Sequence, residues 1–108
     1  MLQKIWQVNF KFNVSLEQYT EAVAPLADPI SNVPGLLWKV WIANPEEQEA
    51  GGIHLFTDQQ ALDAYASGEI IAGILSHPAL SDFSVKTFDV MEEFSLKTHA
   101  PVGDALTA

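Results

Sequence analysis

Residues 4–12, KIWQVNFKF, alternate in kind: Trp6, Val8, Phe10 and Phe12 are separated by Ile5, Gln7, Asn9 and Lys11. A period of two predicts a strand with one strongly apolar face and a second, mixed face suited to solvent or to the sheet of another subunit. Ser15 stands before Leu16, Glu17 and Gln18 as a helix cap, and Tyr19, Val23, Leu26, Ile30 and Val33 then recur at helical spacing. Pro25 removes a backbone hydrogen bond and crowds the turn before it, so the pattern predicts a kink or break near residues 22–25, with Pro29 and Pro34 ending the helix in stages.

The stretch from Pro34 to Asp58 is the centre of the chain. Leu36 to Ala43 is rich in β-formers, Asn44-Pro45 turns, Glu46, Glu47 and Glu49 form a solvated tip, and Gly51 to Thr57 returns as a second strand. Asp58 then caps a helix carrying Ala61, Leu62, Tyr65 and Ala66 on one face and stopped by Gly68. Glu69 to Ser76 predicts a further short helix, ended by His77-Pro78, and residues 82–91 predict a fourth strand in which Phe83, Val85, Thr87 and Asp89 alternate with Ser84, Lys86, Phe88 and Val90. After Phe94 the tail, with Pro101 and Gly103, is expected to be weakly ordered or packed on a neighbour.

The order β-α-β-β-α-β, with the middle strands joined directly, predicts an α+β fold. It is the ferredoxin-like arrangement of an antiparallel sheet with its helices on one face. The reading assigns one domain to residues 1–108, with a core over about 4–92 and a tail over 93–108. The uncovered sheet face carries apolar residues from several strands, too large a patch for a comfortable monomer, and face-to-face pairing of two copies is the simple remedy.

Composition narrows the chemistry. Fourteen acidic residues against five lysines and no arginine give a formal net charge of -9, which disfavours a nucleic-acid partner. Cysteine is absent, which removes disulfides, thiolate nucleophiles and cysteine-ligated metal centres. The three histidines are far apart in sequence and the acidic cluster is a turn, so no metal is expected. Gly51-Gly52 opens a strand rather than a helix and therefore predicts no nucleotide loop; glycines there suit a bulge or a close backbone approach. Without a leader or an 18-residue apolar run, the expected setting is the cytoplasm, with no membrane partner.

Candidate chemistry gathers in the central hairpin. Trp38 and Trp41 are three apart on a strand and must face opposite sides, with Trp38, Val40 and Ile42 on one and Leu37, Lys39 and Trp41 on the other. Lys39 is either a surface lysine whose stem lies along the sheet or a pocket cation able to stabilise a phenolate or enolate. It is placed with Trp41 toward the pocket, since a lysine in a closed symmetric interface would find few acids to pair with. His54 is either a satisfied core histidine or a base within reach of a substrate proton.

PGLLWKVW, EAGGIHLFTD, the ALDAY of the second helix and KTFDV of the last strand resemble the YdhR-type mono-oxygenases of the dimeric α+β barrel superfamily. The resemblance covers about residues 5–97. It implies a homodimer with a pocket between sheet and helices, and a cofactor-independent mono-oxygenase acting on a small phenolic or quinol-like aromatic compound. In the antibiotic-biosynthesis oxygenases of that superfamily a tryptophan ends the strand before the second helix and a histidine follows on the helix; Phe56 and Tyr65 hold those places here. The site expected is His54 or Tyr65 as proton acceptor or relay, Lys39 as anion stabiliser, and Trp6, Trp38, Trp41 and Phe56 as walls, with no cofactor. The alternative is a non-catalytic binding or stress-related homodimer with the same pocket.

Overall fold

The computed structural model describes residues 2–103. Four strands, β1 (Lys4–Phe12), β2 (Leu36–Asn44), β3 (Glu49–Phe56) and β4 (Leu80–Asp89), form one sheet in the order β2-β3-β1-β4. Every neighbouring pair is antiparallel. The helices are α1 (Leu16–Val23), α2 (Ala27–Ser31), α3 (Gln59–Ala66), α4 (Glu69–Leu75) and α5 (Glu92–Lys97). This is the expected ferredoxin-like α+β topology.

The predicted helix break is present. A 3-10 turn at Ala24–Leu26, with Pro25 in its first turn, separates α1 from α2. Proline cannot supply the N–H that a continuous α-helix would need there. Ser15 caps α1 through a capping box, its hydroxyl accepting from Gln18 N–H while the Gln18 side chain accepts from Ser15 N–H. Asp58 caps α3 by accepting from the Ala61 N–H at 2.8 Å. At the β2–β3 turn, a 3-10 turn over Pro45–Glu47 leads to Gln48 in the left-handed region.

The apolar face of β1, Trp6, Val8, Phe10 and Phe12, is buried under the helices with Tyr19, Phe56, Leu62, Tyr65 and Ile71. Trp6↔His54↔Lys39 and Val8↔Gly52↔Trp41 stand side by side across β1, β3 and β2, so the helix face of the sheet lines up these side chains.

Two expectations need correction. In β2 the register shifts between Leu36 and Trp38, so Leu36 pairs with Phe56 while Trp38 pairs with Leu55. This bulge absorbs one residue, and Leu37 packs with Trp38 against Leu55, Val90 and Val102 on the far face, not with Lys39 and Trp41. The tail also differs. Glu92–Lys97 is helical, and Ala100 and Val102 pack on the far face of the chain's own sheet. There the Trp38 indole N–H donates to the Pro101 carbonyl at 2.8 Å, and Gly103 N–H donates to the Gln3 side-chain oxygen at 2.8 Å. Apolar surface at that end of the sheet draws the tail down, despite its proline and glycine. Residues 104–108 of the tail lie outside the described residues. Among those described, no helix is long and apolar enough to cross a membrane.

Candidate functional site

A cavity of about 250 Å³ lies between the helix face of the sheet and the helices. The structure brings Trp6, Lys39, Trp41, His54 and Tyr65 together around it. Trp38 is not among them, because it lies on the far face under the tail. Phe56 does not line the cavity either. It is fully buried, and its ring stacks near His54 with centroids 6.0 Å apart, so it fixes the imidazole from behind. Tyr19, Phe10 and Ile71 complete the apolar wall; sequence named Phe10 and Tyr19 only as positions on apolar faces and did not single out Ile71.

His54 is 2% exposed, and its Nδ1 lies 2.9 Å from the Trp6 carbonyl oxygen. A carbonyl can only accept, so Nδ1 carries the proton and Nε2 presents its lone pair. Nε2 is buried without a partner, as is the hydroxyl of Tyr65. The two rings are 5.5 Å apart by centroid, and both meet Trp6, His54 at 5.2 Å and Tyr65 edge-on at 5.7 Å. A buried donor or acceptor left unsatisfied costs about 1–3 kcal/mol, so two beside one cavity are polar sites that water or a ligand would satisfy.

Charge in the cavity comes from Lys39. Its ammonium sits 3.6 Å from the centroid of the Trp41 ring, a cation–π contact. Burial lowers its pKa to about 8, so it is protonated at neutral pH but held less firmly than a surface lysine. Burial, and secondarily the Lys39 charge, pushes His54 down to about 4, against the opposing pull of the Trp6 carbonyl. Burial raises Tyr65 to about 12. At neutral pH the site therefore offers one cation, one neutral acceptor and one neutral hydroxyl in an apolar enclosure.

Gly52 makes this arrangement sterically possible. A Cβ at that position would stand 2.5 Å from Lys39 Cε and 3.2 Å from His54 Cε1. The sequence offered a bulge or a close backbone approach for Gly51-Gly52, and backbone approach explains Gly51, whose Cβ would meet the Val8 carbonyl oxygen. The role of Gly52 is invisible in sequence because its neighbour Lys39 comes from another strand. Among the described residues no three histidine or carboxylate side chains are grouped so as to hold a metal ion.

A search of curated proteins gives no match. Several solved structures share the fold. A protein from Shewanella oneidensis superposes with a TM-score of 0.70 at 17% identity, over 82% of this chain and 91% of the other. SnoaB, a cofactor-independent oxygenase from Streptomyces nogalater, gives 0.69 at 14% identity, over 85% and 96% of the two chains. A monooxygenase from the gene ActVA-Orf6 of Streptomyces coelicolor, in complex with nanaomycin D, gives 0.61 at 15% identity, over 82% and 88%. At such identities the likeness is one of fold, which hosts more than one chemistry. The family evidence is instead in the sequence: the profile described as "Putative mono-oxygenase ydhR" matches residues 5–101, and the chain belongs to that family.

Proposed function

We propose that this chain is a cofactor-independent mono-oxygenase that binds a small phenolic or quinol-like molecule in the Lys39–His54–Tyr65 cavity and works as a homodimer. The observation that carries the reading is the company Lys39 keeps. A lone ammonium shares an apolar cavity with two buried polar atoms, His54 Nε2 and Tyr65 Oη, that have no partner.

A phenol bound there ionises readily, because an ammonium at close range in a low-dielectric cavity favours the anion. At neutral pH the phenolic proton leaves to solvent and the phenolate pairs with the Lys39 ammonium. Above about pH 8 the neutral Lys39 amine takes the proton itself, and the same ion pair results. His54, at about 4, is too weak a base to hold a phenolic proton and instead accepts a hydrogen bond from a second substrate hydroxyl. Tyr65 donates to a substrate oxygen. The electron-rich anion then passes electrons to molecular oxygen, and a C–O bond forms. Loss of water leaves a carbonyl where a CH₂ of the keto tautomer stood, with one oxygen atom in the product and the other in water. Family membership and the cofactor-independent oxygenase among proteins of the same fold support this reading.

Oxygen uptake with a panel of quinols, measured on wild type, Lys39→Met and His54→Gln, tests it. Uptake in wild type that falls at least tenfold in Lys39→Met, with unchanged circular dichroism, is expected. Tight quinol binding without uptake across the panel would instead make the chain a binding protein.

A further inference from the structure

A second cleft of about 300 Å³ opens between α1 and α4, beside the cavity that holds Lys39. The two share Tyr19, Val23, Leu26, Ile74 and Leu80 among their lining residues, so they adjoin across these side chains. The polar residues on the cleft, Glu69 and His77, are exposed to solvent.

Gly73 also lines this cleft, and it has no structural reason to be glycine. It lies inside α4, where glycine costs roughly 1 kcal/mol relative to alanine. Its φ is not in the left-handed region. A Cβ built on it would meet nothing within 4 Å. Neither backbone conformation nor close packing asks for the missing side chain. The position is exposed to solvent, and the missing side chain leaves the cleft open there.

We infer that the cleft between α1 and α4 is a binding subsite for an apolar, chain-like substituent on the molecule whose phenolic head pairs with Lys39. The inference rests on the proposed head-group reading and adds the shape of the substrate: an alkyl-bearing phenol or quinol rather than a bare ring. The shared, uncharged wall selects this occupant. The residues shared by the two are uncharged, and Glu69, the acid on the cleft, is exposed to solvent, which suits a neutral apolar chain passing between these side chains.

Calorimetric titration with phenol and with para-hexylphenol tests the subsite on the intact protein. Wild type should bind para-hexylphenol at least about tenfold tighter, since each buried methylene adds to affinity. Gly73→Leu and Ala22→Leu, on facing walls of the cleft, should erase most of that advantage and leave phenol binding unchanged. Two separate helices are used so that a folding defect in one variant leaves the other to decide. Equal affinity for the two phenols in wild type, or variants that weaken both alike, would overturn the subsite while leaving the head-group reading in place. Binding of neither phenol would overturn both.

Discussion

At the scale of single residues, the sheet brings Lys39 and His54 to the wall of one cavity. Lys39 and His54 each had a plain alternative, a solvated stem or a satisfied core imidazole, and the strand period could not choose. What decides is the neighbour across β3 and β2: Gly52 leaves the room into which Lys39 folds beside His54. Gly52→Ala should therefore displace the lysine with little effect on the sheet. The expected outcome is weaker binding of anionic phenols with a melting temperature near that of wild type; unchanged binding would show that the ammonium is not held by this gap. His54 gives a pH test. Its folded pKa of about 4 lies below the unfolded value near 6.5, so between these pH values the unfolded chain binds a proton that the folded chain refuses. Stability is thus fully present above about pH 6.5 and lost as pH falls toward 4, by about 3 kcal/mol for this group. Urea unfolding of wild type and His54→Gln across that range should show the loss only where histidine is present, above the shared carboxylate background. In Lys39→Met the His54 pKa, followed by NMR, should rise, because one of the two causes depressing it is removed.

Elements were legible to the degree that their own residues determine them. The alternation of β1, the Ser15 and Asp58 caps and the Pro25 break are local facts, and each appears where the pattern puts it. The bulge in β2 was not legible, because one inserted residue leaves a run of β-formers looking regular while reversing the faces on either side of it. The period put Leu37, Lys39 and Trp41 on one face, and the bulge leaves Lys39 and Trp41 together while moving Leu37 away. The tail was misread for a related reason: proline and glycine report local freedom, and docking onto Leu55 and Val90 is a tertiary event. Val102 is buried at that contact, so Val102→Ala should cost about 1–3 kcal/mol in urea unfolding. A variant as stable as wild type would mean that the tail leaves the sheet in solution.

For the whole molecule, the tail covers only one end of the far sheet face. Beyond it Val40 and Phe88 remain 50% and 49% exposed, with Ile42 and Ile53 beside Val40 across β2 and β3. Apolar side chains on adjoining strands form a patch that a second copy of the same sheet would remove from water. Against this works the charge: two chains at -9 each repel, and the repulsion is screened within about 10 Å at moderate salt. The two terms predict a dimer that tightens as salt is added, the opposite of an interface held by ion pairs. Sedimentation at micromolar concentration should give a dimer of the 11.8 kDa chain, with a smaller dissociation constant at higher ionic strength. Val40→Glu, which puts a new carboxylate in the centre of the patch without touching the cavity, should yield a folded monomer. Phenol binding in that monomer separates the two surfaces, because the Lys39 cavity lies wholly on the other face of the sheet. Retained affinity is the expected result, and a monomeric wild type at all salt concentrations would remove the barrel and leave the cavity as the property of a single chain.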